Sequence, residues 1–188
     1  TTGTLILTGS ATVAQYEAAL RSVTYQNTSN NPSEALRTIG FTVNDGDADS
    51  NTQTRYINVI AVNDPPVLDD VSVTIGRGQT ITLGDQDFGI SDPDNDSFTY
   101  LLSGISAGYF QLATQPSVPI TSFTTAQLDA GLVQFVHDGS ELVPQFSVAV
   151  NDGQFQSNTV AATVNFSATN QAPVLDSSAS PLLQSVNE

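Results

Sequence analysis

Acidic and amide side chains are concentrated in three separated segments of the chain: Asp45, Asp47 and Asp49 in DGDADS, Asn63 and Asp64 in VNDPP, and Asp92, Asp94 and Asp96 in DPDND. Alternate spacing lets a bent loop turn every second side chain inward. Carboxylate, amide-carbonyl and backbone oxygens, with no sulfur or imidazole required, form the hard-oxygen set that calcium takes, about six to eight at a time. Glu17 lies in a short helical segment and joins the set. The candidate metal ligands are therefore Glu17, Asp45, Asp47, Asn63, Asp64, Asp92 and Asp94. They are expected to converge around the linker at Asn63–Asp64, where bound calcium would offset their repulsion and stiffen the joint. Asp49 and Asp96 read instead as turn formers that cap backbone amides. The EF-hand spacing that ends in a twelfth-position Glu is absent.

Charge and composition set the class. Nineteen Asp and Glu against four Lys and Arg give a formal charge of -15, while 39% of the residues are hydrophobic, enough for small cores. The basic residues Arg21, Arg37, Arg55 and Arg77 are scattered and form no patch, so no nucleic acid or other polyanion is expected as a partner. Without Cys, neither disulfides nor a thiolate metal site stabilises the fold. The Thr, Asn, Asp, Ser and Gly-rich composition fits an extracellular or bacterial-surface setting better than a metabolic enzyme. No run reaches transmembrane length and no signal peptide is visible, so direct membrane insertion is not expected.

Catalysis finds little support. His137 is the sole histidine, in FVHDGS, without a Gly-x-Ser-x-Gly elbow, and it aligns with Tyr25, which suggests packing or a turn. Paired acids for glycoside hydrolysis need an aromatic-lined cleft, and the chain has no Trp. The chain is therefore not expected to be an enzyme.

The elements that must position the acids are short strands. Period-two alternation predicts them from Thr4, Arg21, Arg37 and Gln53, and again from Val71, Gln79, Phe98, Tyr109, Gly131, Pro144 and Asn158. Turns at NDG (44–46 and 151–153), DPDND and HDG separate them, and this spacing argues for an all-β sandwich. Two short helical segments, Ala11–Leu20 and Phe123–Gly131, each follow Ser or Thr. They are read as crossings between sheets, plugged by Tyr16, Leu20, Leu128 and Leu132. Tyr25, Phe41, Tyr56, Phe98, Tyr100, Phe110, Phe135, Phe146 and Phe166 are expected in the core, with Tyr109 facing out.

The segment Val43–Leu68 recurs without a gap as Val150–Leu175, so the chain belongs to a tandem array. The expected units are 1–64, equivalent to the C-terminal portion of a repeat and lacking its first strands; 65–170, a complete repeat; and 171–188, the start of a third. A half-built sandwich would expose a sheet face and an edge, which a strand from another chain would complement. The rigid Pro65–Pro66 makes the first linker stiff. At the second join, Gln154, Gln156 and Gln171 replace acids while Asp129, Asp152 and Asn170 remain, so weaker calcium binding is expected there.

ISDPDNDSFTY, FTTAQLDAGLVQFVHDGSE and FSVAVNDG closely resemble the chondroitin sulfate proteoglycan-type repeat, a cadherin-like module. The first unit, through INVIAVNDPPVL, resembles the cadherin-like repeats of giant bacterial adhesins. The resemblance implies tandem cadherin-like (Ig-like) sandwiches, neighbouring repeats of the same chain as partners, and calcium at the joins. It matches Asn63–Asp64 to the linker acids, Asp92 and Asp94 to the DxD of the following module, Asp45 to the preceding turn and Glu17 to the helix-proximal acid. The function implied is a calcium-stiffened extender in a large surface or secreted adhesin-like protein. Two alternatives stand beside it: a binding module for a surface glycan or protein, and an accessory domain of a secreted enzyme.

Overall fold

Alternation in VSVTI places Val71, Val73 and Ile75 on one face of a strand and Ser72 and Thr74 on the other, and the computed structural model buries the first set and exposes the second. The structure describes residues 3–168, which divide between Val62 and Asn63 into two compact units. Residues 171–188, expected to begin a third repeat, lie outside the described residues, as does Asn170.

The first unit holds a helix, α1 (Val13–Arg21), and an antiparallel pair, β1 (Arg37–Phe41) with β2 (Gln53–Ile57), in register from Arg37↔Ile57 to Phe41↔Gln53. Thr12 caps α1 in a capping box with Gln15, the side chain of each accepting from the other's backbone amide. The strands expected from Thr4 and Arg21 are absent. A strand needs a ladder partner, and among the described residues of this unit only β1 and β2 have one, with no second sheet in the unit to pack on them. None of its described side chains is buried. Tyr25, Phe41 and Tyr56, expected in a core, are exposed for the same reason, and so is Leu20.

The second unit is a β-sandwich. Its strands are β3 (Val67–Gly76), β4 (Thr80–Thr82), β5 (Phe88–Ser91), β6 (Thr99–Ser106), β7 (Gly108–Leu112), β8 (Gln115–Ile120), β9 (Ser122–Thr124), β10 (Val133–His137), β11 (Gln145–Asn151), β12 (Val160–Ala161) and β13 (Thr163–Ser167). One sheet has the order β4-β10-β7-β8, a second β12-β11-β6-β9, and a three-stranded sheet has β13-β3-β5, with β13 parallel to β3. The short helix α2 (Thr125–Asp129) crosses from the second sheet to the first, capped by a Thr124–Gln127 box like that of α1 and plugged by buried Leu128.

Aromatic rings hold the sheets together. Phe110 of β7 meets Phe135 of β10 and Phe146 of β11 edge to face at centroid distances of 5.0 and 4.9 Å, and Tyr100 stacks on Phe123 at 4.5 Å. Such pairs are worth about 0.5–1.5 kcal/mol each beyond the area they bury. Tyr109, expected to face outward, is half-buried.

β3 contains one local departure with a structural purpose. Leu68 and Val71 are both buried although three positions separate them, which strict alternation forbids. The pairing with β5 slips between Leu68 and Asp70, so Asp69 is the extra residue of a bulge that returns Val71 to the core face.

Candidate metal centre

Three loops meet at one end of the second unit because strand register brings them there. β3 and β5 are antiparallel with Val67 opposite Ser91, so Asn63–Asp64, just before β3, lies beside Asp92–Asp96, just after β5. β6 and β11 are antiparallel with Thr99 opposite Asn151, which brings the turn at Asp152 to the same end.

Hydrogen bonds join the loops directly. Asn63 Nδ2 donates to Asp152 Oδ2 at 2.7 Å, and Asn63 Oδ1 accepts from Asn95 Nδ2 at 2.7 Å. The Asp64 amide donates to Asp94 Oδ2 at 2.6 Å. Asp92 Oδ1 accepts from the amides of Asp94 and Asn95 at 2.8 and 2.9 Å, folding the DPDND loop around its own first carboxylate. The other oxygen, Asp92 Oδ2, is buried and has no hydrogen-bond partner. A carboxylate oxygen shut away from water without a donor is costly unless a cation meets it.

No basic side chain offsets this charge: the ion pair that an arginine makes among the described residues is Arg77–Glu141. The Asp152 carboxyl is held below the usual carboxylate range, chiefly by the Phe155 amide and then by the Asn63 side chain and the Gln154 amide. Among the described residues no three acidic, histidine or cysteine side chains close around one point. The oxygens on these loops are of carboxylate and amide type, the hard-oxygen chemistry that calcium accepts.

Hydrogen bonds thus link the loops that carry Asn63, Asp64, Asp92 and Asp94, all within the second unit. Asn95 and Asp152 join them, and sequence alone does not place them there. Motif spacing assigns Asp152 to the join following this unit, whereas its bond to Asn63 puts it at the end where the chain enters. The antiparallel register of β11 against β6 is what decides this, and the NDG motif alone carries no such information.

Three expected ligands lie in the first unit. Asp45 Oδ1 accepts from the amides of Asp47 and Ala48, both at 3.0 Å, the arrangement that Asp152 makes with Gln154 and Phe155. Asp47 is exposed. Glu17 is exposed on α1 and has no hydrogen-bond partner among the described residues. Asp49 accepts from the Asn44 side chain, Nδ2 at 2.7 Å, and not from a backbone amide as expected.

Asp92 also lines an open cleft of about 610 Å³, in which Phe88, Phe98 and Tyr100 are accompanied by Asp85, Asp96 and Asp129. Burial raises the pKa of the Tyr100 hydroxyl, and Asp85 and Asp129 push it further up against a lowering hydrogen bond with Thr125. His137 is structural. It is buried, its Nδ1 accepts from the amides of Gly139 and Gly78 at 2.9 and 3.3 Å, and Nε2 lies 3.1 Å from the Leu142 carbonyl.

Residues 65–166 match a family described as cadherin-like. The chain is also 28% identical over 170 residues to extracellular matrix protein 3 of Lytechinus variegatus, an alignment that covers 86% of this chain and 5% of that protein. It is 33% identical over 105 residues to chondroitin sulfate proteoglycan 4 of Homo sapiens, covering 54% of this chain and 4% of the relative. The mouse protein of the same name is 34% identical over 103 residues. The chain therefore spans about a twentieth of the length of these curated relatives.

Proposed function

The chain belongs to the cadherin-like family, and from that premise we propose that it is an extracellular spacer module whose entry end binds calcium and stiffens as it does so. The observation that carries this reading is the partnerless, buried Asp92 Oδ2 within a mixed oxygen cluster. Asp92 would meet the ion through its partnerless oxygen, and Asp64, Asp94 and Asp152, which do not close around one point in this structure, would draw in to complete its shell, with Asn63 and Asn95 linking the loops through hydrogen bonds. Bound calcium would neutralise the like charges and tie the entering chain to the DPDND loop. An outward-reaching array in a large surface or secreted protein is the setting in which a stiff joint matters, and a bacterial adhesin is one such protein. The names of the matrix and proteoglycan relatives support an extracellular location.

Calorimetric titration of calcium into the full chain, repeated with Asp92→Asn, tests the proposal. Binding that the substitution weakens at least about tenfold supports it. Absence of heat, together with a melting temperature that EDTA leaves unchanged, would overturn it.

A second reading, a module that binds a protein partner, is favoured by the acidic cleft around Tyr100. Its aromatic floor and carboxylate rim suit a lysine or arginine side chain. Titration with a short arginine-rich peptide, followed through the Tyr100 and Thr125 amide signals, distinguishes it: movement of those signals supports the reading and their constancy removes it.

A further inference from the structure

An aspartate followed by glycine is a chemically labile pair. The glycine nitrogen, with no side chain beside it to block the approach, attacks Cγ of the aspartate. An N–Cγ bond forms, a Cγ–O bond breaks, and the N–H proton leaves with that oxygen as water, giving a five-membered succinimide. Water then opens the ring at either carbonyl. The mass is restored, but one of the two products, isoaspartate, carries an extra methylene in the backbone.

The chain contains three such pairs, Asp45–Gly46, Asp138–Gly139 and Asp152–Gly153. Each sits in a turn that needs its glycine: φ is 103° at Gly46 and Gly153 and 83° at Gly139, where any side chain would be strained. Each turn also uses its aspartate, whose Oδ1 accepts from the amide two residues on, at 3.0 Å for Asp45, 2.9 Å for Asp138 and 2.6 Å for Asp152. The fold therefore keeps a labile pair at all three turns.

The residue before each pair meets the glycine. Asn44 Oδ1 accepts from the Gly46 amide at 2.7 Å, His137 Nδ1 from the Gly139 amide at 2.9 Å, and Asn151 Oδ1 from the Gly153 amide at 2.8 Å. Two different side chains, an amide and an imidazole, thus present an acceptor to the same nitrogen from the same place in the sequence. Both partners of the ring closure are held, the glycine N–H from one side and the carboxylate from the other. At Asp138 the hydroxyl and amide of Ser140 also hold the carboxyl below its usual range, and an ionised carboxylate is a poor target for a nucleophile.

We propose that Asp45, Asp138 and Asp152 are latent sites of isoaspartate formation, and that Asn44, His137 and Asn151 guard them by holding the glycine N–H that would otherwise be released for attack. The consequence is largest at Asp152, because the carboxylate that would move is the one that accepts from Asn63 at 2.7 Å.

The full chain is incubated for several weeks at neutral pH with EDTA, so that no metal holds the carboxylates, and isoaspartate is read at each site by electron-transfer fragmentation of its peptides. Asn151→Ala removes the acceptor, whereas Asn151→Asp keeps one in its place. One hydrogen bond is worth about tenfold in rate, so isoaspartate at Asp152 is expected to accumulate about tenfold faster in Asn151→Ala and at the parent's rate in Asn151→Asp. Asn44→Ala is expected to do the same at Asp45 while leaving Asp152 unmoved, and Asp138 is the standard in both variants. Unchanged rates in the alanine variants overturn the proposal, and so does equal acceleration by Asn151→Asp. Acceleration at all three sites together would mark a general loosening of the fold and likewise overturn it.

Discussion

The imidazole of His137 lies flat against the ring of Phe166, the centroids 4.9 Å apart and the planes within 9°. This stack joins the end of β10 to β13. Because Nδ1 receives two backbone amides, the ring's proton must sit on Nε2, where it is donated to the Leu142 carbonyl. Nitrogen NMR is expected to show an unprotonated Nδ1 and a protonated Nε2. His137→Phe preserves a ring to stack but orphans those groups, so urea denaturation should register a loss of about 1–3 kcal/mol with an unchanged slope.

Asp92→Asn is expected to separate two effects of one carboxylate. Without calcium, removing a charge from a buried and partnerless oxygen should leave the melting temperature unchanged or raise it. With calcium at about a hundred times the parent's dissociation constant, the parent should gain about 2.7 kcal/mol and the variant much less. Thermal melts of both proteins with and without calcium check this.

Acid should loosen the entry end. The Asp152 carboxyl is depressed in the folded chain, so its contribution is fully present above the unfolded value near 3.8 and is lost as pH falls through the lower folded one. Stability is therefore expected to decline below about pH 4, and an NMR titration should find the Asp152 midpoint below that of an ordinary aspartate. Asp45 and Asp138 are depressed by hydrogen bonds of their own and contribute in the same direction.

Gly108→Ala tests the packing of β7 on β10. An added Cβ would stand 2.5 Å from the Phe135 ring and 2.5 Å from the Val136 carbonyl oxygen, and the carbonyl belongs to a paired strand that cannot step aside. A loss of about 1–3 kcal/mol in chemical denaturation is expected.

Much of this architecture is legible in the sequence. Alternation marks β3, β6, β7, β10 and β11, and a Thr followed three residues later by Gln underlies the caps of both helices. β8 is hidden because Pro116 and Pro119 argue against a strand, yet it forms at the edge of its sheet, where a missing amide costs little. The bulge at Asp69 is hidden because a consecutive acid pair carries no parity of its own. At the entry end, Asn63, Asp64, Asp92 and Asp94 can be named from their chemistry. Asn95 and Asp152 cannot, since only the pairing of β6 with β11 says which loops share an end.

The parallel pairing of β13 with β3 bears on how the second unit responds to a pulling force. Thr163 to Ser167 lie opposite Ser72 to Gly76, and the Arg77 amide extends the ladder to the Ser167 carbonyl. Tension transmitted through the chain draws β3 by its beginning at Val67 and β13 by its end at Ser167, in opposite directions along a shared axis. The bonds between the two strands are then loaded together in shear, whereas a hairpin pulled from its open end would unzip bond by bond. Resistance of this kind is set by the barrier to rupture and not by equilibrium stability, so the unit should hold under load better than its melting temperature would suggest.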